Sequence, residues 1–142
     1  MHARTRIRSA IAAALASIAP VTANRDDPLP ADALPCIGLF TPDEATQELT
    51  MGSRRQMRRM DLYVDGYVRA DTNAGDLDDQ LDAMALRIEQ AIAAGGKFGG
   101  TLDRIELVRT VTDRLTSGEL KAGVTRLQFA VTYQTSFGQP DA

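Results

Sequence analysis

The sequence predicts a two-layer α+β domain in which two helices cover one face of a mixed or antiparallel sheet of about four or five strands. Two segments carry apolar residues at helical spacing, three long segments alternate apolar and polar residues, and turn-forming residues join neighbouring strands. A helix between sequential strands allows one parallel crossover, whereas hairpins give antiparallel pairs. The 142 residues are expected to form a single domain, 1–142.

The first segment is predicted to be an amphipathic helix that ends before Pro20. Its apolar stripe consists of Ile7, Ile11, Leu15 and Ile18. The alternative is a secretory signal peptide cleaved after Ala23, because arginines precede an apolar run. A signal peptide needs no such periodicity, so the helix is favoured, and no run reaches the roughly 18 apolar residues of a membrane-spanning helix.

The next segment, residues 24–35, is acidic and proline-rich, which predicts a surface loop. A short strand over residues 36–40 should follow, since this apolar run is bounded by prolines. Gly52 and Ser53 then separate two polar alternating stretches and indicate a hairpin.

The central strand is predicted over Gln56–Ala70. Its apolar side comprises Met60, Leu62, Val64, Val68 and Ala70. The opposite side, which carries Asp65 among other polar residues, is expected to be wet or to contact a partner. Residues 71–75 form a predicted turn.

Asp76 is predicted to cap the second helix, with further aspartates in the first turn, where the helix dipole favours carboxylates. Its apolar stripe is Leu77, Leu81, Met84, Ile88 and Ile92. Gly95 and Gly96 should end the helix.

Two further strands complete the predicted sheet. Residues 102–115 alternate, with Ile105, Leu107 and Val111 expected on one side. Residues 116–119 should turn the chain back into a strand over 124–137. The inward residues of that last strand are Leu127, Phe129, Val131 and Tyr133.

Composition excludes several classes of chemistry. Cys36 is the single cysteine, so an intramolecular disulfide and a cysteine-based zinc site are excluded, and it is expected to be a packed thiol. His2 is the single histidine and lies at a chain end expected to fray, which leaves no candidate for a histidine base or a Ser-His-Asp triad. A net charge of −3 argues against nucleic-acid binding by the whole domain.

The acidic residues 71–82 resemble a calcium loop only in part. Asp71 and Asn73 fit its first ligand positions, but Asp76 stands where the loop needs glycine and Asp82 where it needs a bidentate glutamate. Helix capping is therefore the favoured interpretation, and a metal-dependent enzyme is a weaker alternative. We predict no catalytic residue, no metal ligand and no cofactor.

A basic cluster beside the hairpin tip is the strongest candidate for an interaction surface. It comprises Arg54, Arg55, Arg58 and Arg59. The preceding segment is acidic, and its candidate partner residues are Asp43, Glu44 and Glu48. These charges could meet across a contact between adjacent subunits, or the arginines could simply solvate an edge strand.

The order of these motifs resembles the tail terminator family of long-tailed phages, which includes lambda minor tail protein U-like proteins and relatives in prophages and gene transfer agents. The resemblance rests on the opening RIRSAIAAAL helix, the LPCIGLF strand, the RRMDLYVDGYVR strand, the DLDDQLDAMALRIEQAI helix and the LQFAVTYQT strand. It spans nearly the whole chain, although the proline-rich acidic loop departs from the family.

The resemblance implies a non-enzymatic virion protein, assembled in the host cytoplasm and located at the neck-proximal end of the tail. It implies a homo-oligomeric ring, usually a hexamer, that caps the tail tube, ends its polymerisation and provides the head-tail joining surface. The implied partners are the major tail tube protein and a head-completion or stopper protein. DNA would pass through the ring lumen without specific binding, and no membrane is involved.

Two alternatives stay open. The chain could be an exported, signal-peptide-bearing periplasmic binding protein, or another phage neck or head-tail connector protein.

Overall fold

The computed structural model describes residues 1–23, 35–49, 52, 54–70, 76–117 and 120–141. Within them, two helices and five strands follow in the order α1 (Ala3–Leu15), β1 (Val21–Ala23), β2 (Cys36–Glu48), β3 (Arg55–Arg69), α2 (Leu77–Gly95), β4 (Arg104–Ser117) and β5 (Leu120–Ser136). The predicted turn at 71–75 and residues 24–34 of the predicted loop lie outside the described residues.

The five strands form one mixed sheet in the order β1-β2-β3-β5-β4. β1 runs parallel to β2, and the other neighbours are antiparallel. The predicted α+β class is therefore confirmed. β1 was not predicted, because three residues are too few to show an alternating pattern.

β2 is a single strand of 13 residues rather than a short strand followed by a hairpin arm. Pro42 was expected to end the strand. Instead, the pairing with β3 shifts register between Phe40 and Asp43, so the proline lies at an irregularity where its missing N–H is tolerated. β1 pairs only with residues 37–39 of β2. Pro42 therefore lies on the part of the outer edge of β2 that β1 does not cover.

α1 confirms the predicted amphipathic helix. Ile7, Ile11 and Leu15 are fully buried, and the helix ends at Leu15, one turn earlier than expected. Its beginning is not frayed, because Nδ1 of His2 accepts a hydrogen bond from the Arg4 N–H at 3.1 Å and so caps the first turn.

α2 begins and ends where the sequence predicts. The Asp76 side chain accepts a hydrogen bond from the Asp79 N–H at 2.8 Å, and Gly96 follows the helix with a φ of +59°. Gly66 of β3 brings α2 close to the sheet, since a Cβ there would lie 2.5 Å from Cγ of Met84. α1 packs beside α2, which confirms two helices on one face.

The core lies between these helices and the central strands. Its sheet side includes Met60, Leu62, Val64, Leu127, Phe129, Val131 and Tyr133, all at most 3% exposed. The inward residues predicted for the last strand are confirmed. On the opposite face of the sheet, no described helix covers the strands, and we call this the open face.

The faces predicted for β4 were wrong in part. Leu107 lies opposite Phe129, but the pairing shifts register before Arg109, so Val111 lies opposite Arg126 on the open face. Leu107 is 40% exposed because α2 packs on β3 and β5 rather than on this edge strand, and Val111 is 42% exposed because no described helix covers the open face. The single extra residue at the shift reverses the alternation, which no periodicity count detects.

Candidate assembly surfaces

The residues predicted to form a subunit interface do not share one surface. Glu44 lies opposite the core residue Met60 and therefore on the helix-covered side, whereas Asp43 lies on the open face. By the same alternation along the strands, Arg58 and Glu48 belong to the helix-covered side and Arg55 and Arg59 to the open face. Arg54 is exposed and immediately precedes β3.

Glu44 and Arg58 pair with each other inside one chain. Nη1 of Arg58 donates to Oε2 of Glu44 at 3.3 Å, and the two side chains are only 14% and 10% exposed. The Tyr133 hydroxyl donates to the other Glu44 oxygen. Intersubunit contact by these two charges is therefore not expected, while an interface role for Arg54, Arg55, Arg59, Asp43 and Glu48 stays a prediction.

This partly buried polar cluster links α1 to the sheet. Nε2 of His2 lies 3.3 Å from Nη1 of Arg58, and Arg4 approaches Glu44 at 3.9 Å. Burial, together with the positive charges of Arg4 and Arg58, lowers the pKa of His2. Burial, and then the hydrogen bond to Glu44, raises the pKa of Tyr133.

A second polar cluster lies on the open face and was not predicted. Asp65 is 2% exposed and accepts two hydrogen bonds from Arg126, from Nε at 2.8 Å and from Nη2 at 2.9 Å. The Arg126 guanidinium also lies over the rings of Phe40 and Tyr63, about 5 Å from each centroid.

The open-face cluster is a closed structural unit rather than a reactive site. The guanidinium is already satisfied by a carboxylate, which raises the pKa of Arg126, and burial raises the pKa of the neighbouring Tyr67. Cys36 is buried, as predicted. The sequence placed Asp65 on a wet face, because only the pairing register of β3 and β5 brings Arg126 opposite it.

β4 is an exposed edge strand with an unusual number of uncovered apolar side chains. Val108 is 53% exposed, Val111 42% and Leu115 41%. Towards α2, Leu107 and Ile105 line a shallow groove with Ile92. Because an open strand edge can pair with another strand and exposed apolar side chains favour contact, β4 is a candidate docking edge.

The described residues contain no group of three or more His, Cys, Asp or Glu side chains able to hold a metal ion. Asp76 caps α2, and Asp78 pairs with Arg114 of β4 at 2.9 Å. Asp71 and Asn73, the first ligands of the calcium-loop alternative, lie outside the described residues. No helix in the described part of the chain has both the length and the apolar character needed to span a membrane.

Among the comparisons with known proteins, the one with solved structures finds chains that are similar to this one. No family model matches the chain, and no curated protein matches it. The chain is similar to a chain of the solved structure described as "Virion of native gene transfer agent (GTA) particle", with 15% identity, a TM-score of 0.42, and coverage of 94% of this chain and 92% of the other. At this identity and TM-score, the similarity carries no conclusion about family or function.

Proposed function

We propose that this chain is a non-enzymatic structural subunit of a virion, a tail terminator that forms a ring on the end of the tail tube. The observation that carries the proposal is the sheet itself, which has described helices on one face only and a long edge strand with exposed apolar side chains. Such a subunit leaves surface for contacts with other subunits, and its buried polar groups serve the fold rather than a reaction.

The edge strand supports assembly. Three apolar side chains of β4, Val108, Val111 and Leu115, are each exposed by 41% or more. Burying apolar surface stabilises subunit contacts by about 25 cal/mol per Å². A neighbouring subunit in a ring would therefore gain by covering this edge.

The charges of the open face support a position on the lumen of the proposed ring. Away from the basic hairpin tip the charges of this face are balanced, since the carboxylate of Asp65 already holds the guanidinium of Arg126, and Asp113 lies near Arg109 on β4. A surface without a concentrated basic patch binds DNA weakly. In the proposed ring, usually a hexamer, this face lines the lumen through which DNA passes without specific binding.

The basic hairpin tip supports contact with a partner along the tail axis. Arg54, Arg55 and Arg59 are exposed, and opposite charge on a partner steers association. In the proposed arrangement one end of the ring binds the last ring of the major tail tube protein and the other end binds the head-completion protein. Tube growth ends because the second end does not match another tube subunit.

A test uses purified chain and purified tail tubes of the same particle. Electron microscopy should show a ring of the chain at one end of each tube, and tubes so capped should stop growing when tube protein is added. Tubes that continue to grow, with no chain at their ends, would refute the proposed function.

A further inference from the structure

We propose that the free chain pairs with a second copy of itself through β4, the two strands running antiparallel about a two-fold axis at Val111. The resulting dimer has one continuous sheet across both copies. This inference concerns the free protein and does not depend on the proposed role in the tail.

The first observation is that β4 has an open edge. It pairs with β5 on one side only and is the last strand of the sheet. From Arg109 to Ser117 its pairing with β5 is regular, so the backbone groups on its other side form an ordered row. A row of this kind is a template for another strand.

The second observation is that the strand is complementary to itself. If Val111 lies on the axis, Arg109 of each copy stands opposite Asp113 of the other, and Thr110 stands opposite Thr112. Arg109, Val111 and Asp113 all lie on the open face. Opposite charges, paired β-branched residues and paired threonines are the favourable cross-strand neighbours in antiparallel sheets.

The third observation is the position of the exposed apolar residues. Val108 lies at the register shift, three residues before the axis, and Leu115 lies four residues after it. Antiparallel pairing about Val111 brings Leu115 of one copy to the register position of Leu107 in the other, next to Val108, at both ends of the contact. The most exposed apolar side chains of β4 are thereby covered together.

Charge argues for a second copy rather than another partner. A guarded edge strand usually carries charges of one sign, which repel another copy. Here charges of opposite sign lie at mirror positions around Val111, and a copy of the same chain is the partner that satisfies both. Asp113 already accepts the Arg114 N–H at 2.9 Å through Oδ1, and a carboxylate can accept several further hydrogen bonds.

A charge-exchange series tests the pairing by sedimentation velocity over a range of protein concentrations. The wild type should be dimeric, and Arg109→Asp or Asp113→Arg should each weaken the dimer by about tenfold or more, because like charges then face each other twice. The double variant Arg109→Asp with Asp113→Arg should restore it. Equal behaviour of all four proteins, or failure of the double variant to recover, would overturn the proposal.

Cysteine cross-linking gives an independent measurement. Val111→Cys places two thiols opposite each other on the axis, so mild oxidation should give a covalent dimer. Val108→Cys is the matched control, because it is at least as exposed on the same strand but lies off the axis. Equal cross-linking of the two variants, or none at Val111→Cys, would contradict the register. Rings that form while the exchange series has no effect would refute the β4 pairing and leave the proposed function standing.

Discussion

The carboxylate of Asp65 is held by both Nε and Nη2 of Arg126 on the face of the sheet that no described helix covers. The two residues are opposite each other in the pairing of β3 with β5. Asp65 is buried by its neighbours, whereas the side chain of Arg126 is 46% exposed. The side chain of Arg126 therefore separates the buried carboxylate of Asp65 from solvent.

Arg126→Met should destabilise the fold by about 2 to 3 kcal/mol, because it leaves a buried carboxylate without its donor while water still reaches the site. The midpoint of urea unfolding measures this. Asp65→Asn combined with Arg126→Met removes the charge and should recover part of the loss. An unchanged midpoint in the single variant would show that water alone satisfies Asp65.

Acidification should weaken the attachment of α1. Burial and the nearby Arg4 and Arg58 lower the pKa of His2 in the folded chain, so the unfolded chain binds a proton more readily. The stability that this gives is complete above the unfolded pKa of about 6.5 and is lost as the pH falls through it towards the folded value.

His2→Asn keeps a capping acceptor but cannot titrate, so it is the matched variant for this effect. Urea unfolding should be measured at several pH values above and below the pKa of free histidine. On acidification, the free energy of unfolding should fall less for the variant than for the wild type. Identical pH profiles for the two proteins would contradict the prediction.

Tyr133→Phe should cost about 1 to 2 kcal/mol, because Glu44 loses a buried donor while the ring still fills the core. Thermal unfolding followed by circular dichroism provides the measurement. Thr132→Val on the same strand is a control at a half-buried position away from the cluster. If both variants unfold alike, the Glu44 cluster adds nothing to stability.

Phe129→Ala should cost about 3 to 5 kcal/mol, as large-to-small substitutions in a core do. Phe129 is 3% exposed, whereas Phe137, just after β5, is 63% exposed. Phe137→Ala should therefore change stability by no more than about 0.5 kcal/mol. Comparable unfolding midpoints for the two alanine variants would remove Phe129 from the core.

Reversal of the basic hairpin charges should impair assembly without unfolding the chain. Arg54→Glu with Arg59→Glu changes two exposed positions. It leaves unchanged Arg55, which contacts Ser136 at 3.3 Å, and the partly buried Arg58. When this double variant replaces the wild-type chain in a complementation assay, electron microscopy should show overlong or headless tails. The purified variant should have a normal circular dichroism spectrum.

The control for that experiment is Arg69→Glu with Arg87→Glu, which changes the net charge equally at two exposed positions away from the hairpin tip. It should give tails of normal length joined to heads. Normal particles from both double variants would mean that the hairpin arginines are only a solvated edge.

Local patterns predicted most of the fold. The spacing of Ile7, Ile11 and Leu15 and the alternation around Phe129 each depend on neighbours a few residues apart, and both are confirmed. The outward assignment of Val111 was missed because one extra residue in β4 reverses the alternation.

The polar clusters were missed for a different reason. Arg58 and Glu44 are 14 residues apart in sequence, and Asp65 and Arg126 are 61 apart. Their pairing depends on strand register and on which face of the sheet the helices cover. Neither feature can be predicted from the residues nearby in sequence. In the sequence, an exposed arginine such as Arg54 cannot be told from Arg58, whose side chain is 14% exposed and paired with Glu44.

Pro42 gives the two edges of the sheet different capacities for growth. On the β2 side, β1 covers residues 37–39, and the proline and its register shift blunt the rest, with Asp43 and Glu48 adding negative charge. Since β1 at the other edge has three residues, β4 is the only long and regular edge for strand addition among the described strands. A folded chain with one long open edge can form a closed pair through that edge but cannot extend a sheet from copy to copy.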